Sequence, residues 1–270
     1  MDTPPTLLPE KIENKIICTI ETISLPLYDK KHIAMLDQIK NENVLCIDIE
    51  TVPQYPVYDE VPVLMRKLWD IKASRLASKE EETPEILYER AGIYAEFGKI
   101  ICISAGILNG DVLRIKSFSG KDEAELLNSF ADMLNTKFSK PQYLLCAHNG
   151  KEFDFPYIAR RMLINGIRLP AILDIAGRKP WEVQHLDTME LWKFGDYKNY
   201  TSLALLTAIF DIPTPKDDID GSQVGNVYWV EDNLNRIVEY CQKDVVAIVQ
   251  LFLRYKGEPL IASDNISIAG

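Results

Sequence analysis

The chain has 270 residues, 47% hydrophobic and 26% charged, the balance of a soluble globular protein and enough for one large domain or two small ones. A formal net charge of −10 argues against a protein that wraps duplex nucleic acid by neutralising phosphates. The strongly apolar runs, such as 202–210 and 245–253, fall far short of the roughly 20 residues of a membrane span, and residues 1–15 lack the apolar core of a secretory signal, so neither is expected.

In chain order, residues 1–40 read as an N-terminal extension, Pro-rich at first, with a strand over 15–23 and a helix over 32–40. Residues 44–50 (VLCIDIE) form an apolar run that reads as a buried strand, halted at Pro53, which has no N–H for a ladder. The charged, helix-favouring stretch 57–95 reads as a helical insertion. A second buried strand is expected over 99–108, Asn109-Gly110 signals a hairpin, and 111–118 returns. A helix over 122–138 and a strand over 142–147 follow, then a helix from 154 to 165 stopped by Gly166. Short helices are expected over 187–194 and 202–210, a loop over 213–227 and a long helix over 233–255. No linker divides this run. The pattern predicts an α/β domain over 41–257, a mixed central sheet flanked by helices, with a C-terminal tail at 258–270.

Five cysteines, at 18, 46, 102, 146 and 241, are odd in number and form no C-x-x-C pair, so neither a disulfide framework nor a zinc ribbon is implied. Cys46, Cys102 and Cys146 lie in apolar runs and read as buried free thiols, which places the protein in a reducing, cytoplasmic compartment. Charge is uneven: 151–200 holds eight Lys/Arg against seven Asp/Glu, while 201–270 holds five against ten. The middle segment is thus the part suited to face an anion.

Three acidic features stand out. Asp48 and Glu50 are two apart on a buried strand, so they share a face, unless the strand ends near 47 and the acids are solvated. Asp154 closes His148-Asn149-Gly150-Lys151-Glu152-Phe153-Asp154, a turn between strand and helix, where a helix N-cap would also explain it. Tyr240 and Asp244 are four apart on the long helix and project side by side, as an ordinary surface pair would. Taken together, the four carboxylates can converge on one pocket. Hard oxygen ligands without His or Cys suit Mg²⁺ or Mn²⁺, and two such ions can clamp a phosphoryl displacement.

The three features in this order, Asp-x-Glu, Asn-x-x-x-Phe-Asp and Tyr-x-x-x-Asp, resemble the exonuclease motifs of the DEDD 3′–5′ exonucleases. The subgroup is the one with Tyr in the third motif, since the position that would carry His in the other is Glu239. The run 41–257, including 185–189 (HLDTM), 212–216 (IPTPK) and 220–224 (DGSQV), resembles stand-alone bacterial exonucleases related to the proofreading domain of family B DNA polymerases. The resemblance implies a ribonuclease-H-like fold and two divalent cations, Mg²⁺ or Mn²⁺. Asp48 would bridge both. Glu50 and Asp244 would complete the site on the nucleophile's side, and Asp154 would serve the second ion. Tyr240 would align the attacking water. Asn149 and Phe153 would contact or support the 3′-terminal nucleotide, and the main chain of Ile49, Thr51 and Val52 would face its sugar.

The activity implied is a metal-dependent 3′–5′ exonuclease releasing nucleoside 5′-monophosphates from single-stranded DNA 3′ ends, in preference to RNA, with no membrane partner and an unidentified polymerase or repair partner. Its rivals are a non-catalytic nucleic-acid-binding module on the same fold, an exonuclease acting on RNA, and a glycosidase that would leave two carboxylates and Tyr240 unused. Among the remaining features, Asp187 with Glu190 reads as a helix cap, with a role near the site as the alternative. His32, His148 and His185 are too scattered for a metal triad. Trp69, Tyr88 and Tyr94 read as core, with stacking on single-stranded bases as the alternative, and Asp217, Asp218 and Asp220 lack the spacing of a calcium loop. Arg160, Arg161, Arg178, Lys179, Lys193 and Lys198 are the candidates for phosphate contacts.

Overall fold

The structure, a computed structural model, describes residues 35–269 apart from 197, 199 and 214–218. The strand expected over 15–23, Cys18 and the acids Asp217 and Asp218 lie outside the described residues. Of the helix expected over 32–40, the described part is a single 3-10 turn at Leu36–Gln38.

Three strands form an antiparallel meander: β1 (Val44–Pro53), β2 (Gly98–Asn109) and β3 (Val112–Ser119). The hairpin between β2 and β3 closes on the pair Asn109–Val112, with Gly110 at φ 60° in the turn. On the other side of β1 lie β4 (Leu144–Ala147) and β5 (Leu186–Asp187), both parallel. Residues 258–270, expected as a tail, contribute β6 (Ile266–Ala269), parallel to β3. The sheet order is β5-β4-β1-β2-β3-β6, a mixed central sheet flanked by helices, as the sequence predicts.

The period-2 alternation of β1 decides which helices cover which face. Leu45, Ile47 and Ile49 point to a core shared with α3 (Glu123–Lys137), through Leu127 and Phe130, and with α4 (Asp154–Ile164), through Ile158 and Met162. Val44 and Cys46 point to the opposite core, built on Val245, Ile248 and Phe252 of α8 (Leu234–Tyr255). Helix α8 packs close because Gly106 offers no side chain: a Cβ there would sit 2.6 Å from Val245 Cγ1. Four cysteines, the three expected and Cys241, are buried free thiols.

Between β1 and β2 the chain forms α1 (Val63–Leu76) and α2 (Pro84–Tyr88). They close their own small core around Trp69, Leu87, Tyr88 and Phe97. Trp69 Nε1–H donates to the Pro84 carbonyl at 2.8 Å, and Tyr157 Oη–H of α4 donates to the Gly92 carbonyl at 2.6 Å. Trp69 and Tyr88 are therefore core residues, while half-buried Tyr94 carries Lys72 Nζ 3.8 Å from its ring centre. After β5 come α5 (Thr188–Lys193) and α6 (Leu203–Ile209). The loop expected over 213–227 instead leads into α7 (Val224–Trp229), whose Val224, Val227 and Tyr228 pack on Val52 of β1 and Ile237 of α8. The apolar residues of α7 had no visible amphipathic repeat because the helix spans only six residues.

Candidate active site

The face of β1 that buries Val44 and Cys46 against α8 next presents Asp48 and Glu50. The strand does not end near 47. It stays paired with β2 to Pro53, across a bulge between Glu50 and Thr51. Glu50 is only 7% exposed, and the Oδ2 atom of Asp48 is buried without a hydrogen-bond partner. Ordinary folding rarely leaves such an atom unanswered.

Asp154 reaches the site from α4. It is not the N-cap that the sequence allowed: it is the first helical residue, and Phe153 holds the cap position without a side-chain bond. The Asp154 carboxylate turns back instead to accept from its own N–H and that of Ile49 on β1. Tyr240 and Asp244, both half-buried, lie on the side of α8 next to Ile237, Cys241 and Val245, which are fully buried. The tyrosine ring packs beside Tyr228 and Ile237.

The charges register one another. Burial, then the charges of Glu50, Asp244 and Asp154, raise the Asp48 carboxyl well above the usual range. Burial, then Asp244, Cys102 and Asp154, raise Glu50 similarly. The Asp154 carboxyl is pushed up to about 7, first by burial and then by Asp187 and Asp244, against the pull of the two N–H groups. Three buried carboxyls, Asp48, Glu50 and Asp154, are thus each raised in part by the charge of Asp244, a repulsion that a bound cation would relieve.

A fifth group was not foreseen. One ligand atom each of Asp48, Glu50 and Cys241 lie within 4.8 Å of one another. Burial raises the Cys241 thiol well above its usual range, so it stays protonated and donates to the Asp48 carbonyl at 3.4 Å. Oxygen therefore remains the ligand type, and the residues present fit a hard divalent cation: an orphaned carboxylate oxygen, surrounded by carboxylates that only added positive charge would relieve.

Asn149 occupies the left-handed region at φ 63°, and its Oδ1 is buried without a partner. Phe153 is half-buried, its ring 5.3 Å from that of Tyr157. Ile49 is buried and Val52 completely so, while Thr51 is half-buried. His148 and His185 are structural. Burial lowers both, and each donates Nε2–H to a carbonyl, Thr201 at 2.9 Å and Ile172 at 2.8 Å. Arg161 is unavailable to phosphate: it is buried, and its guanidinium is taken up by Glu123, the Ala95 carbonyl and Gln54. Arg160, Arg178, Lys179 and Lys198 are exposed and Lys193 half-buried.

Residues 93–259 match the family described as "Predicted 3′-5′ exonuclease related to the exonuclease domain of PolB", and the chain belongs to that family. The matched stretch holds Asn149, Phe153, Asp154, Tyr240 and Asp244, whereas Asp48 and Glu50 precede it and join them through β1. The family B DNA polymerase of the hyperthermophilic archaeon Pyrobaculum calidifontis is similar over 79% of this chain at 16% identity, with a TM-score of 0.47. This chain spans 27% of that polymerase's length.

Proposed function

We propose that the protein is a divalent-metal-dependent 3′–5′ exonuclease that releases nucleoside 5′-monophosphates from single-stranded DNA ends by a two-ion mechanism. The observation that carries the metal dependence is the buried, partnerless Oδ2 of Asp48 among mutually repelling carboxylates. Asp48, Glu50 and Asp244 would hold one cation, Asp48 and Asp154 the other. Mg²⁺ or Mn²⁺ bound there supplies positive charge to the attacking and leaving oxygens of the phosphodiester.

The protein's own groups do the rest. Tyr240 orients the attacking water through its hydroxyl. Asn149 would give its partnerless Oδ1 acceptor, and Phe153 its ring, to the terminal nucleotide, whose sugar would lie along the main chain of Ile49, Thr51 and Val52. The net charge of −10 favours local capture of an end over wrapping a duplex. Single-stranded ends suit a site where one nucleotide enters at a time.

The test is digestion of a 5′-labelled oligonucleotide with Mn²⁺ or with EDTA. Stepwise shortening from the 3′ end, 5′-monophosphate products and a block by a terminal 3′-phosphate are expected. Degradation from the 5′ end refutes the reading. Binding without cleavage points to a non-catalytic module, and faster digestion of RNA reassigns the substrate.

A further inference from the structure

Asp187 caps α5 as expected: its Oδ1 accepts the N–H groups of Met189 at 3.0 Å and Glu190 at 3.2 Å. A cap needs no more than that. Yet the same carboxylate accepts two further N–H groups from a distant segment, Asn149 on Oδ1 at 3.0 Å and Lys151 on Oδ2 at 3.1 Å. Asp187 is 3% exposed, so these bonds are shielded from water. The Lys151 ammonium pairs with Glu190 at 2.5 Å, which leaves its main-chain N–H to the Asp187 carboxylate.

The two bonded N–H groups bracket a left-handed turn. Asn149 sits at φ 63°, the left-handed region that asparagine tolerates better than other residues with a Cβ. The next residue of the β5–α5 junction reinforces the hold. His148 donates Nε2–H to the Thr201 carbonyl, so its Nδ1 is bare and accepts the Thr188 hydroxyl at 2.9 Å. The turn 148–151 is thus fixed from one side by two consecutive residues, and at its centre the Oδ1 of Asn149 stays buried with no partner.

We propose that Asp187 is a positioning residue for substrate capture: by holding the N–H groups of Asn149 and Lys151 it keeps the Asn149 Oδ1 aimed at a hydrogen-bond donor of the 3′-terminal nucleotide. This rests on the exonuclease reading above. It assigns to Asp187 a second task beyond the cap, exerted through Asn149 and not through the scissile bond.

Asp187→Ser separates the two tasks. Serine still caps α5, but it is too short to reach Asn149 and Lys151. Steady-state kcat and KM on a short single-stranded DNA would be measured for wild type, Asp187→Ser, Asn149→Ala and the double variant. Each single change should raise KM about tenfold, the loss expected for one hydrogen bond in a shielded site, with kcat altered less than about threefold. The double variant should stay within about twofold of Asn149→Ala alone, because residues acting through one another are not additive. A multiplicative loss of about a hundredfold, or a fall in kcat with KM unchanged, would overturn the proposal. Should Asp187→Ser fail to fold, Asp187→Asn keeps the shape and turns an amide N–H₂ toward the Lys151 N–H. It should show the same KM effect and the same non-additivity. A wild type that cleaves no single strand refutes the exonuclease reading and this role with it, whereas an active wild type with additive variants refutes this role alone.

Discussion

Removing a charge from the proposed centre should make the metal-free protein more stable. Consider Asp154→Asn. The Asp154 carboxyl is pushed up to about 7 from an ordinary 3.8, chiefly by burial. A folded-state pKa above the unfolded one stabilises fully below 3.8, and that stability is lost as pH rises from 3.8 through about 7. The difference of about 3 units at 1.36 kcal/mol each gives about 4 kcal/mol, absent from the wild type at pH 8. Asparagine has no proton to surrender. Four is a ceiling, because the amide offers one acceptor oxygen where the carboxylate offers two to its own N–H and that of Ile49. At about 2–4 °C per kcal/mol for a domain of this size, the melting temperature should rise by up to about 8–16 °C. The assay is thermal unfolding in EDTA at pH 8 and pH 5, where the gain should shrink, and again at pH 8 with Mn²⁺. The metal should raise the wild type more than the variant. A variant less stable than wild type in EDTA at pH 8, or a gain equal at both pH values, would refute the electrostatic reasoning.

Asp244→Ala should remove nearly all exonuclease activity, while Tyr240→Phe, which loses one orienting hydrogen bond, should slow single-turnover cleavage about 10–10³-fold. Equal rates for wild type and both variants would detach the third motif from the chemistry. Arg161→Met strands the buried Glu123 carboxylate, which also accepts the Ile100 N–H, and should cost about 3–5 kcal/mol, read from the urea midpoint. A loss under about 1 kcal/mol would show that water reaches the pair. Gly106→Ala drives a methyl against Val245 Cγ1 and should destabilise by about 1–3 kcal/mol in the same assay.

What the sequence disclosed, and what it hid, follows from the range of the forces involved. β1 was legible because an apolar run is a local pattern, and period 2 alone put Asp48 and Glu50 on one face. The long helix was equally plain, since Ile237, Cys241, Val245, Ile248 and Phe252 repeat at helical spacing. β5 escaped notice because two residues carry no periodicity. β6 escaped because its four residues are mostly exposed and are held chiefly by pairing with β3. Cys241 sat between Tyr240 and Gln242 with nothing to mark it as the neighbour of Asp48, which lies 193 residues earlier. The cap role of Asp187 could be read from Glu190 three positions on, but its bonds to Asn149 and Lys151 span 38 and 36 residues and leave no trace in local spacing. Arg161 looked like any surface arginine until α4 turned it toward Glu123.

The short reach of β4 has a consequence of its own. Its pairing with β1 covers only Val44, Leu45 and Cys46, while β1 runs on to Pro53 against β2 alone. The second half of the central strand is therefore an internal edge, its outward polar groups unclaimed by any ladder among the described residues. The Ile49 N–H is claimed by Asp154, the Asp48 carbonyl by the Cys241 thiol and the Pro53 carbonyl by Trp229 Nε1–H. Such an edge, left open, invites another strand in solution, and here side chains from other elements take up part of it instead. Its donors and acceptors belong to the main chain. Exchanging Ile49, Thr51 or Val52 for another side chain leaves them in place, and only proline, which has no N–H to give, would delete one.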